Sequence, residues 1–385
     1  MSERKEIVIP KKFKDKYGDN FPIWSFSKCS SLDSCPYEYY LTRIRGVKDR
    51  VDNIYTVCGN MAHNILEDYY NGKIKYEDMI DIFEREFLAI ELSDYKFSND
   101  KDKNRTMRDN YKNNCMLFFK NHVPIETKVS SELEIWIDVK GNIFIGYVDA
   151  IHKEGDTYVI TDYKTSGLTD YQGAKKPKKA MQLLLYALGL HQKGVPLERI
   201  KCRWNFLKYT KIDITYKTKK GEVKHKSTIA ERTKWVKKIE KQLTKDVYAY
   251  YSDLEEWERD ILIQRAVKNN SLDELAEEIQ DNYKLSDAYE YVEVNEESIE
   301  YMQNFLVERI ALINSKSKDT EDDSDWSREE IGEQGDFYCA TLCSVRKHCK
   351  YWKEYMEKYH DKQNEQVAVE RADILNELDS LLGEL

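Results

Sequence analysis

Proline is scarce in this chain: only 6 of its 385 residues are proline, and 15 are glycine. Because 41% of the residues are hydrophobic and 28 are tyrosine, the composition excludes a mainly disordered chain and predicts a sizeable core. No apolar run approaches the roughly 20 residues that a membrane-spanning helix needs. The charged start, residues 1–6, is not followed by the apolar stretch of a secretory signal. We therefore expect a cytoplasmic protein that does not associate with membranes.

Basic residues are concentrated in one part of a chain whose net charge is −9. From Lys201 to Lys245 there are 15 Lys and Arg against 4 Asp and Glu, a local balance of +11. Such a stretch can attract phosphate through its local potential even when the whole chain is acidic. Composition alone leaves a solvated lysine-rich surface as an equal alternative. A second basic group lies just upstream: Lys175, Lys176, Lys178 and Lys179.

The organisation along the chain predicts a mixed α/β fold. Three β-rich stretches between residues 129 and 164 are separated by turn signals, which is typical of a three-stranded meander. The apolar run Ala180 to Leu190 predicts a helix. From these patterns we delimit a polar leader (1–20), a core (21–226) with a helical insertion (58–125), a helical region (227–318), an acidic linker (319–336), a cysteine-rich segment (337–360) and a charged terminal helix (361–385).

Two carboxylates and a lysine stand out at the ends of neighbouring strands of this meander. Asp149 ends the segment Gly-Tyr-Val-Asp, and Asp162 and Lys164 flank Tyr163 on the next strand. Residues two apart on a strand project from the same face, so Asp162 and Lys164 face the same way, and Asp149 can lie beside them. Oxygen ligands of this kind suit Mg²⁺ or Mn²⁺, and a nearby lysine suits metal-assisted hydrolysis of phosphodiesters. Asp-x-Lys alone is also common by chance, and the alternative is a surface ion pair.

The order of the surrounding residues resembles the PD-(D/E)XK nuclease superfamily, and within it the RecB-type nucleases. The pattern of that group is a helical His, then G-x-x-D, then D/E-x-K, then a helix with Q-x-x-x-Y. This sequence has His63, the Asp149 and Asp162-Tyr163-Lys164 segments, and then Gln182 with Tyr186. The resemblance implies a restriction-endonuclease-like core, in which a mixed β-sheet is flanked by helices.

The same resemblance implies a role for each residue. His63, Asp149, Asp162 and the carbonyl of Tyr163 would hold the metal, and Lys164 would position the attacking water. Gln182 and Tyr186 would line the substrate channel. Glu134, on the first strand of the meander, would assist the metal, with Glu132 as an alternative that the sequence does not separate from it.

A cluster of cysteines near the carboxyl terminus is the second chemical signal. Cys339, Cys343 and Cys349 lie within eleven residues, and three thiolates at such spacing are typical of a metal or cluster site that lacks one ligand. AddB and the CRISPR-associated exonucleases, which this region resembles, carry a 4Fe–4S cluster with one earlier cysteine in a Cys-Pro context. That resemblance implies Cys35 as the fourth ligand, with Cys29 as a rival and Zn²⁺ as an alternative occupant.

The cluster would join the two ends of the chain around the nuclease core. The x3 spacing between Cys339 and Cys343 departs from the x2 that is usual in the group and leaves the cluster type open. Cys58, Cys115 and Cys202 lie in apolar surroundings and are expected in the core.

These signals together predict a metal-dependent DNA exonuclease that acts on linear or single-stranded ends in recombination, repair or end processing. The basic group Lys175, Lys176, Lys178 and Lys179 lies between the catalytic strand and the Gln182 helix and is predicted to bind the nucleic acid. The aromatic residues Trp204, Phe206, Tyr209 and Tyr216 alternate with basic residues, which suits either base stacking or a core. No P-loop is present, so a helicase or recombinase partner would be a separate chain. The alternatives are a non-catalytic nucleic-acid-binding scaffold with a nuclease fold and a zinc-stabilised endonuclease.

Overall fold

The computed structural model of the protein describes residues 7–218 and 220–360. The predicted terminal helix over 361–385 lies outside these residues. The described helices and strands, in chain order, are α1 (Lys11–Tyr17), β1 (Ile23–Trp24), α2 (Phe26–Ser34), α3 (Pro36–Tyr39), α4 (Ile54–Tyr70), α5 (Asp78–Glu91), α6 (Lys101–Asn121), β2 (Ser130–Val139), β3 (Asn142–Glu154), β4 (Thr157–Lys164), α7 (Lys176–His191), β5 (Ile200–Lys217), β6 (Val223–Glu231), α8 (Trp235–Tyr250), α9 (Glu256–Asn269), α10 (Glu277–Gln280), β7 (Tyr283–Val292), α11 (Glu296–Ser315) and α12 (Lys350–Tyr355).

The described residues divide into two units. The first, here called the sheet unit, comprises residues 7–26 and 57–305. The second, here called the cysteine unit, comprises residues 27–56 and 306–360. Among the helices of the described residues, none is both long and apolar enough to cross a membrane.

A single mixed sheet of seven strands organises the sheet unit. Strands β2, β3 and β4 form the predicted antiparallel meander, and β5 then pairs with β4 in parallel. The parallel step needs a crossover connection, which α7 provides. The fold class predicted from the sequence, a mixed sheet flanked by helices, is confirmed.

Helix α7 is buried on nearly all sides against this sheet. Its run of leucines and alanines has no polar stripe, which is typical of a helix inside a core. Pro177 lies in its first turn, where a missing N–H costs nothing. The backbone comes so close to β2 that a Cβ on Gly189 would lie 2.5 Å from Ile135 and 2.8 Å from Ile137. Close helix–sheet packing therefore fixes α7 relative to the meander.

The region over 227–318 is not wholly helical. It contains β7, which pairs antiparallel with β5 across a register shift between Asn205 and Thr210. Tyr283, Ala288 and Val292 of this strand are buried, but polar residues separate them, so the apolar pattern in the sequence is weak. The distal half of β5 packs with α8, α9 and α10 in a separate apolar cluster.

The cysteine unit is organised around a buried tryptophan. Trp326 is fully buried, stacks on Tyr39 with ring centroids 5.1 Å apart, and donates a hydrogen bond from Nε1 to the carbonyl of Ser317 at 3.0 Å. The segment predicted as an acidic linker is therefore an ordered loop that wraps this indole. Its many acidic residues concealed its buried apolar side chains, Trp326 and Ile331.

We expect Gly189→Ala to destabilise the protein although alanine is the better helix former. The added methyl group would collide with Ile135 and Ile137, and overpacking of a core costs about 1–3 kcal/mol. Gly59→Ala on α4 is the matched control, because the nearest atom to its Cβ would be Thr165 Oγ1 at 3.7 Å, an ordinary contact. Urea unfolding of both variants tests this. Equal stability of the two would contradict the close packing of α7 against β2.

Candidate active site

The two sequence-predicted carboxylates meet where β3 and β4 separate. The last paired residues of this hairpin are Ala150 and Thr161, so Asp149 and Asp162 occupy the next position on each strand. Residues opposite each other on antiparallel strands share a face of the sheet. The register therefore places both carboxylates side by side.

The carboxylate pair carries an unfavourable concentration of negative charge. Burial raises the pKa of Asp149 well above its usual value, and the charge of Asp162 raises it further. The backbone N–H of Tyr163 partly offsets this by donating a hydrogen bond to Asp149 Oδ2 at 3.1 Å. Like charges in a buried place favour a bound cation.

Lys164 supplies one positive charge to this pair. Its Nζ donates a hydrogen bond to Asp162 Oδ1 at 2.8 Å and lies 2.7 Å from Oδ2. The Lys164 ammonium is poorly aligned for a hydrogen bond to Asp162 Oδ2. Asp162 Oδ2 is buried and accepts no hydrogen bond from the described residues. Burial by itself would lower the pKa of Lys164, but the charges of Asp162 and Asp149 outweigh burial and raise it above its ordinary value.

Helix α4 brings His63 to the same place. Its Nδ1 lies 3.3 Å from Asp149 Oδ2, and its ring meets that of Tyr163 edge-on with centroids 6.5 Å apart. Burial lowers the pKa of His63, which favours the neutral imidazole that binds metals. A histidine predicted from the order of motifs therefore contacts a carboxylate predicted from the strands.

Helix α7 contributes Gln182 and Tyr186, which lie one turn apart and touch. Gln182 Nε2 donates a hydrogen bond to the Tyr186 hydroxyl at 2.9 Å. Burial raises the pKa of Tyr186 to about 12, and the charges of Asp162 and Asp149 act in the same direction, so the phenol is near both carboxylates. The ring fits only because residue 146 is glycine: a Cβ there would lie 2.5 Å from Tyr186 Cε1.

The glutamates of β2 are placed less clearly for metal binding. Glu134 is exposed and accepts hydrogen bonds from Trp136 Nε1 at 2.7 Å and from the Tyr147 hydroxyl at 3.5 Å. Glu132 has φ 47°, a left-handed conformation that interrupts the regular alternation of side chains along a strand. A metal-assisting role for Glu134 stays a prediction.

A buried polar network that the sequence did not reveal supports the strand between the two active-site residues. The Tyr163 and Tyr70 hydroxyls are hydrogen-bonded. The Tyr70 hydroxyl also lies 3.0 Å from His122 Nε2, and His122 Nδ1 lies 3.0 Å from Asp287 Oδ2. Arg232 anchors the far end with a 2.7 Å hydrogen bond to Asp287 Oδ1. The members come from five separate segments, so no local sequence pattern links them.

This network attaches α4 to β4 at a second point. His63 and Tyr70 are seven residues apart on α4 and therefore lie on one face of the helix. His63 contacts Asp149, and Tyr70 contacts Tyr163. The position of the histidine relative to the carboxylates therefore depends on the Tyr70 hydroxyl as well.

The four predicted cluster ligands all belong to the cysteine unit and are buried. Burial raises the pKa of the Cys339 thiol to about 12, with Cys35 and Cys349 among the further causes, and burial also raises the pKa values of Cys343 and Cys349. The four thiols therefore influence one another electrostatically. The guanidinium of Arg328 donates hydrogen bonds to Cys339 Sγ and to Asp336.

Cys29 has different neighbours. Burial raises the pKa of its thiol to about 12, and the other charges that act on it are those of Lys28 and Asp33. The three cysteines expected in the core, Cys58, Cys115 and Cys202, are completely buried.

The basic group at the start of α7 is partly neutralised. Lys175 donates to Asp170 at 2.8 Å, Lys176 forms an ion pair with Glu290, and Lys179 lies over the Tyr171 ring. Lys178 is exposed at the start of α7. These lysines were predicted to bind nucleic acid, and two of them already have acidic partners.

The aromatic residues of β5 divide between core and surface. Trp204 and Phe206 are buried, with 1% and 0% of their surface exposed, whereas Tyr209 and Tyr216 are half-buried. The two buried rings are part of the core and are not available for base stacking.

In residues 7–218 and 220–360, no three His, Cys, Asp or Glu side chains are grouped so that they could hold a metal ion. The chemistry of the donors nevertheless fits a divalent cation at the carboxylates: the buried Asp162 and the half-buried Asp149 repel each other, and Asp162 Oδ2 accepts no hydrogen bond. In the cysteine unit, four thiols are the donor set of an iron–sulfur cluster or of zinc.

The meander, the crossover helix and the carboxylate–lysine end of β4 are features of a nuclease fold. Comparison with protein families confirms this class: residues 23–350 match the PD-(D/E)XK nuclease superfamily. The chain belongs to this superfamily, whose members typically use Mg²⁺ or Mn²⁺. A search of curated proteins finds no match.

Tyr70→Phe tests whether the buried network positions the active site. Loss of the hydroxyl leaves His122 Nε2 and the Tyr163 hydroxyl without a partner, which costs about 1–3 kcal/mol. We expect a loss of metal-dependent nuclease activity in addition, because α4 loses its second attachment to β4.

The matched control is Tyr283→Phe, which removes a hydroxyl that donates to Asp246 Oδ2 at 2.6 Å in another part of the sheet unit. Thermal unfolding should show similar losses of stability for the two variants, whereas cleavage should fall only in Tyr70→Phe. If cleavage falls in both variants in proportion to their loss of stability, the network stabilises the fold and does not position the active site.

Proposed function

We propose that the protein is a metal-dependent DNA exonuclease. The observation that supports it best is the meeting of Asp149, Asp162 and Lys164 at the end of the β3–β4 hairpin, with His63 3.3 Å from Asp149. An ion pair that served stability alone would not require a second, half-buried carboxylate beside it, because the repulsion between the two acids opposes folding.

Each side chain has a distinct part in this proposal. Asp149, Asp162, the Tyr163 carbonyl and His63 hold the cation, with Glu134 as an assisting group. When bound, a divalent cation activates water and stabilises charge on the phosphate. Lys164, already a hydrogen-bond donor at this site, orients the attacking water. Gln182 and Tyr186 contact the nucleic acid beside the scissile phosphate.

Linear or single-stranded ends are the proposed substrates, in keeping with the resemblance to RecB-type nucleases, in which recombination and end-resection enzymes predominate. A role in recombination, repair or end processing follows from the same resemblance. A helicase or recombinase, if it takes part, is supplied by another chain.

Lys164→Ala should abolish metal-dependent cleavage, with a loss of about 100- to 1000-fold, because a preorganised positive charge at the reacting phosphate is removed. End-labelled linear DNA and closed circular DNA are incubated with Mg²⁺ or Mn²⁺, and the products are resolved on gels. Loss of linear DNA alone would support an exonuclease.

Lys211→Ala provides a matched control, because Lys211 also pairs with an aspartate two residues away on a strand, at 2.9 Å from Asp213. This variant should cleave like the wild type. Cutting of circular DNA would favour an endonuclease. If the wild type and Lys164→Ala bind DNA equally and are equally inert, the protein is a non-catalytic scaffold.

We further propose that Cys35, Cys339, Cys343 and Cys349 hold a 4Fe–4S cluster. In support, these thiols are buried in one unit and act electrostatically on each other. Burial raises the pKa values of Cys339, Cys343 and Cys349, and a bound metal would stabilise such thiols as thiolates. A guanidinium that donates to Cys339 Sγ is compatible with a cluster, since hydrogen bonds to the ligating sulfur adjust its potential.

Cys35→Ser should lower the iron and sulfide content and the brown colour of anaerobically purified protein, whereas Cys29→Ser should leave both unchanged. The two residues are equally suited as controls for each other, because both are buried cysteines of the same unit. If metal analysis finds zinc and no sulfide, the four cysteines hold zinc and not an iron–sulfur cluster. If iron is lost in Cys29→Ser and not in Cys35→Ser, then Cys29 rather than Cys35 is the fourth ligand.

A further inference from the structure

Three lysines of α8 form a straight row on the surface of the sheet unit. Lys238, Lys241 and Lys245 are exposed and separated by three and four residues. At 3.6 residues per turn they fall within an arc of about 60° on the helix. The row is about 10 Å long, at a rise of 1.5 Å per residue.

The charges of this row are not cancelled by ion pairs. Within the described residues, Lys238, Lys241 and Lys245 have no acidic partner within ion-pair distance. The acids of α8 are engaged elsewhere: Glu240 pairs with Lys237 at 2.6 Å, and Asp246 accepts hydrogen bonds from Gln242 and Tyr283. The opposite face of α8 is apolar and is buried against β5 and α9.

Strand β6 adds a further positive charge beside the row. Lys226 Nζ lies 3.3 Å from Gln242 Oε1 of α8 and 4.8 Å from the centre of the Tyr216 ring. The basic group at the start of α7 differs, since Lys175 and Lys176 are paired with acids. The row on α8 therefore offers positive charge that is open to a ligand.

Three aromatic rings near this surface are already engaged, Tyr248 by Arg259 and Asp260, and the exposed Tyr250 lies about 120° around α8 from Lys238. Tyr216 lies under Lys226, and Trp235 donates its Nε1 hydrogen to the carbonyl of Asn270 at 3.0 Å. Recognition of single strands depends on aromatic rings that are open for base stacking. Lysines without such rings suit a duplex, whose bases are covered and whose phosphates are exposed.

We propose that Lys238, Lys241 and Lys245 bind the phosphodiester backbone of duplex DNA and hold it on the enzyme. The identity of the polyanion rests on the proposed function. Phosphates of one strand recur about every 3.4 Å along the duplex axis, so a row of about 10 Å spans about three phosphates. The surface binds without reading sequence and keeps a duplex in place while its end is processed.

The test is the salt dependence of binding, measured by fluorescence anisotropy with a labelled 20-base-pair duplex in EDTA, so that cleavage plays no part. The variant K238Q/K241Q/K245Q loses three phosphate contacts. The negative slope of log affinity against log salt should therefore become less steep by about 2–3. At 0.1 M salt the affinity should fall by about 10- to 100-fold.

The control variant K101Q/K103Q/K120Q removes the same charge from exposed positions of α6, and its slope should equal that of the wild type. An unchanged slope in the α8 variant, or equal losses in both variants, overturns the proposal. A loss confined to a single-stranded probe overturns its assignment to duplex.

Lys164→Ala separates this surface from the catalytic proposal. If that variant and the wild type are equally inert but the α8 slope falls as expected, the surface is supported and the nuclease is not. If the wild type cleaves DNA normally and the slope of the α8 variant does not change, the nuclease is supported and the surface is not.

Discussion

The repulsion between Asp149 and Asp162 is the constraint on which the site depends. Burial and the charge of Asp162 raise the pKa of the half-buried Asp149, the Lys164 ammonium and the Tyr163 N–H act in the opposite direction, and His63 Nδ1 lies 3.3 Å from Asp149 Oδ2. Each of these groups comes from a place that the fold already supplies: the end of β4, its backbone and one face of α4. A cation bound between the two carboxylates would relieve the repulsion between them. On the proposed function, the stability cost of the pair is the condition for binding a metal.

A second buried aspartate shows how the same fold stabilises a charge without leaving it open to a ligand. Asp287 is surrounded by His122, Asn205 and Arg232, and these partners hold its pKa below the usual value although burial acts in the opposite direction. Asp162 Oδ2 accepts no aligned hydrogen bond although Lys164 Nζ lies 2.7 Å away, whereas both oxygens of Asp287 have hydrogen-bond partners. The difference separates a structural carboxylate from one that can accept a metal. Because the network ends at Tyr163, it also supports the strand that carries Asp162.

The cysteine unit brings together stretches that are far apart in the sequence. Glu38 accepts hydrogen bonds from the Ser344 N–H and hydroxyl at 3.1 Å, and Val51 N–H donates to the Ser344 carbonyl at 2.8 Å. These contacts place the Cys-Pro segment and the late cysteines in one unit independently of any metal. A cluster would then reinforce an arrangement that hydrogen bonds and the buried Trp326 already define.

The sequence by itself determined the meander, the helix after it and the order of His63, Asp149, Asp162, Lys164, Gln182 and Tyr186, because alternation, helical periodicity and motif spacing are local properties. Strand β7 and the ordered loop around Trp326 escaped prediction, since polar residues dilute their apolar pattern. Only the tertiary structure decided that Lys175 and Lys176 are paired with acids while Lys238, Lys241 and Lys245 are not. The same holds for the Tyr70–His122–Asp287 network. These features depend on which distant side chains become neighbours, and no spacing along the chain encodes that.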